Sequence, residues 1–184
     1  MIQMNVLGKI RGFAFNPVKE FAASKEDTLS DAFKYFVLLL AILAAILAIA
    51  VTAAVLMLGL PPISKFAPLL GTGAFVGIIA VGIIAAIYIA VWLHIWVYLL
   101  GGRKGLKQTV KAITYGSTPC LVLGWVPGPN VIIAPIWSLL LVISGVMELH
   151  ELSPGMAILA VILAILAPLI ILGAVIATVV LIML

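Results

Sequence analysis

The chain has 184 residues, of which 66% are hydrophobic and 9% are charged, and its formal net charge is +4. Soluble domains carry about 25% charged residues, so this composition excludes an ordinary soluble protein and indicates an integral membrane protein. The length leaves room for one bundle of helices and for no separate soluble domain. A single cysteine, Cys120, excludes an internal disulfide.

The region before the first apolar stretch carries two predicted short helices and has no signal-peptide pattern. Four apolar residues recur at helical spacing near its start: Ile2, Val6, Ile10 and Phe13. Lys9 and Arg11 lie beside them, so this stretch is predicted to be a helix on the membrane surface, with a loosely ordered tail as the alternative. Asn16 and Pro17 predict the cap and first turn of a second helix. Residues 24–27 are predicted to be a solvated turn.

Five predicted spans follow. Four are mostly apolar, whereas the third starts as a polar helix and becomes apolar at residues 121–126. A membrane-spanning helix needs ~20 residues. The five spans predict an all-α polytopic bundle of five transmembrane helices, forming one membrane domain over residues 1–184. The predicted spans are residues 36–60, 73–100, 106–126, 131–148 and 156–184, and residues 1–35 form an interfacial amino-terminal segment. Thr28 or Ser30 is predicted to cap the first helix. Pro119 is predicted to kink the third span and to free carbonyl groups just before it.

Charge asymmetry orients the predicted bundle. Of the ten Lys and Arg residues, only Lys65 falls on the face opposite the amino-terminal segment. The positive-inside rule therefore predicts a cytoplasmic amino terminus and, with five spans, a carboxyl terminus outside. Six basic residues are predicted to face anionic lipid head groups: Lys9, Arg11, Lys19, Arg103, Lys104 and Lys107.

Polar residues within the spans predict a buried cluster near the cytoplasmic side, because ionisable groups at that depth normally face the protein interior. The predicted members are His94, Lys111, Thr114, Tyr115, Glu148 and His150. Lys111 lies roughly 9 Å inside its helix. Glu148 is its predicted ion-pair partner, and snorkelling of Lys111 to the surface is the alternative. His94 is predicted to hydrogen-bond between helices rather than to act as a ligand.

The sequence gives little support for catalysis. Glu148, His150 and Glu151 are residue types that bind metals, but they lack the HExxH spacing that places two histidines on one helical face. No cofactor or metal is therefore predicted. The sequence has no Ser-His-Asp arrangement, Walker loop or dinucleotide fingerprint, so an enzyme is not predicted and an intramembrane hydrolase is the least supported alternative. The basic face favours lipid over nucleic acid.

The middle third of the chain carries several short motifs in a fixed order. A Gly-Gly pair precedes Lys-Gln-Thr, and Tyr-x-Ser-Thr-Pro, Gly-Trp-x-Pro-Gly, Ile-Trp-Ser and Gly-x-x-Glu-Leu-His follow. The residues that carry these motifs are Gly101, Gly102, Lys107, Gln108, Thr109, Tyr115, Ser117, Thr118, Pro119, Gly124, Trp125, Pro127, Gly128, Ile136, Trp137, Ser138, Gly145, Glu148, Leu149 and His150. The set resembles the Yip-domain family of small five-span membrane proteins. The segment from Asn16 to Lys19, leading to Asp31, resembles its archaeal and bacterial members.

The resemblance implies a noncatalytic scaffold or adaptor that acts in membrane organisation or trafficking-like processes through its cytoplasmic face. Eukaryotic members contact prenylated small GTPases, but that partner does not transfer to a prokaryotic setting with the fold. The candidate partners are the lipid bilayer, anionic lipid head groups, a protein at the cytoplasmic face and a second copy of the chain. A small-solute or ion transporter or channel is the alternative, because the Pro119 break and the polar cluster lie inside the predicted bundle.

Overall fold

A computed structural model describes residues 5–59 and 61–183, so predictions for Ile2, Leu60 and Leu184 lie outside the described residues. The helices are α1 (Val6–Phe15), α2 (Pro17–Ala23), a 3₁₀ helix (Ser24–Glu26), α3 (Leu29–Met57), α4 (Pro61–Ser64), α5 (Ala67–Leu99), α6 (Leu106–Gly116), α7 (Thr118–Leu123), α8 (Ile133–His150) and α9 (Pro154–Met183). No strand occurs within these ranges. The all-α prediction is confirmed.

Thr28 begins the first long helix, as one of the two predicted caps. Its hydroxyl oxygen accepts a hydrogen bond from the Asp31 N–H at 3.2 Å, and the Asp31 carboxylate accepts one from the Thr28 N–H at 3.2 Å. This reciprocal capping box satisfies two backbone donors that would otherwise have no partner. The helix therefore starts at Leu29, before the predicted apolar boundary at residue 36, and its 29 residues extend about 43 Å.

Four described helices are long and apolar enough to cross a membrane: Leu29–Met57, Ala67–Leu99, Ile133–His150 and Pro154–Met183. The predicted third span, residues 106–126, is not one continuous helix. It breaks after Gly116 into α6, with 11 residues, and α7, with 6 residues. Pro119 explains the break because it has no N–H to donate and its ring clashes with the preceding turn. The predicted count of five spans is therefore not confirmed among the described residues.

Side chains satisfy the backbone groups that the break exposes. The Cys120 N–H donates to the Ser138 hydroxyl oxygen of α8 at 3.1 Å. The Thr118 hydroxyl donates to the Tyr115 carbonyl at 2.5 Å. This agrees with the prediction that Pro119 frees carbonyls just before it. Such replacement bonds are required where irregular backbone lies among apolar helices.

The α6–α7 pair runs antiparallel to α8. Thr109, near the start of α6, lies 2.9 Å from the ring of His150 at the end of α8. Cys120, in α7, contacts Ser138 near the start of α8. These two contacts lie at opposite ends of the pair, so α6 and α7 together run alongside α8 from Ser138 to His150.

The densest packing lies at one end of the bundle, called here the amino-terminal face. This face comprises α1, α2, the 3₁₀ helix, the first turns of α3, residues 100–116 and residues 145–153. Its largest fully buried side chains include Phe13, Phe21, Tyr35, Tyr115 and Val146. At the other end, every residue from 168 to 183 is exposed although the sequence there is apolar. A helix that is apolar on all sides requires an apolar environment, which the bilayer supplies.

Trp92 replaces a hydrogen bond that Pro168 removes from α9. Pro168 has no N–H, so the carbonyl of Ala164, four residues earlier, has no helical donor. The Trp92 indole N–H donates to that carbonyl at 2.8 Å and thereby joins α5 to α9.

A double-mutant cycle tests this compensation. Trp92→Phe should lower the free energy of unfolding by about 1 kcal/mol, because the Ala164 carbonyl loses its donor. In a Pro168→Ala background, which restores a helical N–H, the same change should have a smaller effect. Unfolding of the purified protein in detergent measures both values. Equal losses in the two backgrounds would contradict the assignment.

Candidate functional site

Two aromatic side chains fasten the amino-terminal helices to the bundle. The Phe13 ring of α1 stacks on Tyr115, with ring centroids 4.9 Å apart, and contacts Phe21 of α2 at 4.8 Å. Phe21 lies against Gly145, where a side chain would collide with its ring. Both phenylalanines are 0% exposed. Helices α1 and α2 are therefore a packed part of the fold.

The packing differs from the prediction that α1 lies on the membrane surface with its apolar face in lipid. Phe13 is buried against protein, and Val6 and Ile10 pack against the same core. The apolar residues of α1 that remain exposed are Leu7, at 79%, and Phe15, at 74%. The outward face of α1 thus differs from the face that the sequence pattern indicated.

Lys111 is the central polar residue of the amino-terminal face. Its ammonium group donates to the backbone carbonyls of Ser24 and Lys25 at 2.9 Å and of Asp27 at 3.1 Å. Three acceptors match the three donors of an ammonium group. The carbonyls terminate the α2 and 3₁₀ segment, where the helix dipole places partial negative charge. Lys111 is 3% exposed, so it caps the end of another helix from the protein interior.

A second cation and one carboxylate, both partly buried, complete this network. The Lys9 ammonium lies 2.5 Å from the Asp27 carboxylate and 3.3 Å from the Ser24 hydroxyl. The Tyr115 hydroxyl donates to the same carboxylate at 2.5 Å. The Lys9 ammonium also lies 4.7 Å from the centroid of the Tyr115 ring. The prediction that Lys9 faces lipid head groups is wrong, because its charge is paired inside the protein.

The predicted solvated turn at residues 24–27 is only partly solvated, since Glu26 is exposed but its neighbours are wholly or partly buried. Ser24 is 1% exposed, and the carbonyls of this turn bind Lys111. We call the set Lys9, Ser24, Asp27, Lys111 and Tyr115 the amino-terminal network. Sequence reasoning missed Asp27 and Ser24 because a short polar run between helices normally faces water. No periodicity marks either residue as buried.

A separate group joins the ends of three helices. The Thr109 hydroxyl lies 2.7 Å from Nδ1 of His94 and 2.9 Å from Nε2 of His150. One hydroxyl hydrogen can serve only one of these nitrogens, so the other ring must donate to the hydroxyl oxygen. The group therefore links α5, α6 and α8. The interhelical hydrogen bond expected of His94 is present.

The six residues of the predicted polar cluster do not form a single site. His94 and His150 share Thr109, whereas Lys111 and Tyr115 belong to the amino-terminal network. Thr114 bonds carbonyl groups of its own helix. Within residues 5–59 and 61–183 no ion pair joins Lys111 to Glu148, so that predicted pairing is wrong. Burial of Lys111 also excludes the alternative of snorkelling to the surface.

Surface charges surround the end of α8. Glu151 pairs with Lys104 at 2.6 Å and with Lys25 at 3.5 Å, and the hydrogen bond from Lys104 lowers the pKa of Glu151. The Arg103 guanidinium lies 3.7 Å from the centroid of the Tyr98 ring. Exposed pairs of this kind contribute little to stability. Among the described residues, no three His, Cys, Asp or Glu side chains are grouped closely enough to hold a metal ion.

The remaining basic residues predicted to face lipid, Arg11, Lys19 and Lys107, are exposed.

The motif glycines have geometric roles at this face. Gly101 has a φ of +100°, in the region that favours glycine. A side chain at Gly102 would meet Val97 and lie 3.1 Å from Nδ1 of His150. Glycine at these two positions allows the turn after α5 to approach the end of α8.

The motif residues after Pro119 lie at the opposite end of the α6–α7 pair. Gly124 follows α7, and Gly128 has a φ of +92° in the turn before α8. Trp125 in this turn is 50% exposed. Trp137 instead packs against the core and, with Ile10, lines a small cavity between α1 and α7.

These features define a helical integral membrane protein whose amino-terminal helices are fixed to the bundle by buried aromatic and ionic contacts. The model of the Yip1 domain family matches residues 11–177. The chain therefore belongs to the Yip1 domain family. Searches of curated proteins and of solved structures found no match to the chain.

The Lys9–Asp27 pair provides the first test of the network. Lys9→Met and Asp27→Asn should each lower the free energy of unfolding by roughly 1–3 kcal/mol, because each change leaves a partly buried polar group without its partner. The double variant should lose less than the sum. Arg11→Met is the matched control, since Arg11 is an exposed basic residue of the same helix, and it should change stability by no more than about 0.5 kcal/mol. Denaturant titration in detergent measures all four; strict additivity would contradict the pairing.

Lys111 provides a separate test against the partner that the sequence predicted. Lys111→Met should destabilise the protein, because the carbonyls of residues 24, 25 and 27 lose their donor. Glu148→Gln should add to this loss to within about 0.5 kcal/mol, since the two side chains form no ion pair. A double variant clearly milder than the sum would restore Glu148 as the partner of Lys111.

Proposed function

We propose that this Yip1 family protein is a noncatalytic scaffold or adaptor that presents its amino-terminal face to the cytoplasm. The observation that carries the proposal is the use of the buried polar groups at this face. Lys9, Asp27 and Lys111 hold polypeptide segments together, and they fix α1 and α2 in one arrangement. A fixed surface suits recognition of a partner, because little conformational freedom is lost on binding.

The same proposal includes five crossings of the membrane. The α6–α7 pair is antiparallel to α8 and matches its length, which supports a fifth, broken crossing despite the proline. Broken helices are tolerated at membrane depth where their backbone groups are buried in protein. Five crossings place the two termini on opposite sides. The excess of Lys and Arg at the amino-terminal face supports a cytoplasmic position for that face.

The proposed partners are anionic lipid head groups and a protein bound at the amino-terminal face. Arg11, Lys19 and Lys107 are exposed there, and Leu7 and Phe15 are apolar and exposed on α1. Basic and apolar side chains on one short helix suit the boundary between head groups and acyl chains. Each basic residue near an anionic surface gains about 1 kcal/mol, and salt weakens this gain.

A transporter or channel is the alternative function, and the break at Pro119 is the feature that favours it. In transporters, backbone groups at such breaks coordinate the substrate or ion. Here the Cys120 N–H and the Tyr115 carbonyl both bond to side chains of the same chain. Those groups are already satisfied, so the break gives the alternative less support than the sequence did.

Cysteine labelling tests the orientation. In a Cys120→Ser background, Lys65→Cys should react with a membrane-impermeant thiol reagent on intact cells, whereas Lys107→Cys should react only after permeabilisation. Both positions are exposed, so a difference in labelling reports the side of the membrane rather than burial. Labelling of Lys107→Cys on intact cells would overturn the proposed orientation.

Reconstitution separates the two functions. In vesicles of phosphatidylcholine and phosphatidylglycerol, the protein should retain phosphatidylglycerol preferentially, and rising salt should reduce the preference. Combined replacement of Arg11, Lys19 and Lys107 by Gln should weaken the preference without lowering stability, because these side chains are exposed. Ion or solute flux that survives the triple replacement, but is abolished by Lys111→Met, would contradict the scaffold proposal and favour a transporter.

A further inference from the structure

An apolar groove of about 860 Å³ lies between α5, α8 and α9, away from the amino-terminal network. Its walls include Ile89 of α5, Leu139 of α8, and Ile165 and Leu172 of α9. Its floor is formed by three small residues: Ser117 and Cys120 at the helix break, and Ser138 of α8.

Water is a poor occupant of this groove. A buried water molecule needs two to four polar partners. The Ser117 hydroxyl donates to the Ile113 carbonyl at 2.7 Å, and the Ser138 hydroxyl accepts from the Cys120 N–H at 3.1 Å. The indole N–H of Trp92 at the groove wall is likewise used, by the Ala164 carbonyl. Ser117, Ser138 and Trp92 thus each already make a hydrogen bond within the protein, and apart from the Tyr88 hydroxyl and the Cys120 thiol the rest of the lining is apolar.

The groove continues the surface that faces the bilayer. Helices α5 and α9, which form two of its walls, are both long and apolar enough to cross a membrane. Rim residues Ile89 and Leu172 are 48% and 57% exposed, and the exposed apolar surface of α9 continues from there to Met183. Hydrocarbon can therefore enter the groove directly. An empty groove would lose the dispersion contacts that close packing provides.

The size of the groove favours a chain over a helix. A 20-residue helix about 10 Å across and 30 Å long occupies roughly 2,400 Å³, so only part of one could enter. A hydrocarbon chain is narrow and flexible and can follow the irregular floor. The contact between Trp92 and Ala164 joins the two walls at one point, so a chain lying beside it would be held between α5 and α9.

We propose that this groove binds one hydrocarbon chain of a membrane lipid as a specific site, distinct from the lipid that surrounds the bundle. The bound chain packs against the floor at Ser117, Cys120 and Ser138 and supports α9, which is exposed from residue 168 to residue 183. This site is separate from the basic amino-terminal face. It does not depend on the proposed scaffold function.

Native mass spectrometry of the full chain tests the site. The protein is reconstituted in vesicles of phosphatidylcholine alone, so that the basic amino-terminal face adds no bound anionic lipid, and is then extracted in mild detergent. Wild type should retain a bound lipid, and Ile165→Trp, which fills the groove, should lose it. Leu166→Trp is the matched control: it is the adjacent residue of α9, has the same 45% exposure as Ile165, and does not line the groove. This control should retain the lipid.

A second pair of variants tests the site independently if Ile165→Trp fails to fold. Leu139→Trp lies in the groove and should lose the lipid, whereas Leu140→Trp, its neighbour outside the lining, should keep it. Cys120, the only cysteine of the chain, should react faster with an apolar maleimide when lipid is lost. Equal retention in all variants, or no retention by wild type, would overturn the proposal. So would a dimer in which Cys120 cross-links to its copy, because a second chain would then fill the groove.

Discussion

The position of the amino-terminal helices depends on one buried ammonium group. Lys111 reaches from α6 to the carbonyls that end the α2 and 3₁₀ segment, and it satisfies all three of its donors there. A buried charge without such partners would be strongly unfavourable. The same contact gives the exposed carbonyls of a helix end their donors. The ammonium group supplies the donors that the helix end lacks, and the carbonyls supply the acceptors that a buried ammonium group needs. This explains why Lys111 can be only 3% exposed in this bundle.

The rest of the amino-terminal face is arranged around this contact. With the end of the 3₁₀ helix fixed, Asp27 lies where both Lys9 and Tyr115 reach its carboxylate. The pair then orients α1, so that Phe13 stacks on Tyr115. Local charge is nearly balanced, because one carboxylate and a helix dipole oppose two ammonium groups. Outward from this core, Arg11 keeps its charge exposed, and the face can be basic without burying unpaired cations.

The sequence predicted the helices well and the contacts between them poorly. Hydropathy identified the long helices because lipid exposure leaves a continuous apolar signal, and Pro119 predicted the break because it cannot donate a backbone hydrogen bond. The partner of Lys111 could not be predicted in this way. A charged residue in a span suggests an opposite charge as its partner, and Glu148 was predicted for that reason. Backbone carbonyls occur at every residue, so the sequence does not indicate which of them will accept a hydrogen bond from a lysine. Asp27 was missed for a related reason, since local polarity does not show which polar turn another helix will cover.

The helix break and the amino-terminal network divide the molecule into two ends with different physical demands. At the amino-terminal face, polar groups are buried and paired, so the protein itself supplies the environment that each requires. At the other end, α9 is apolar and exposed from residue 168 onward, and its environment must come from the bilayer. The break at Pro119 lies between these ends, with its backbone groups satisfied by Ser138 and Thr118 and with small residues on its outer side. One short chain therefore carries a packed protein surface at one end and, beside the break, a groove that opens toward the bilayer.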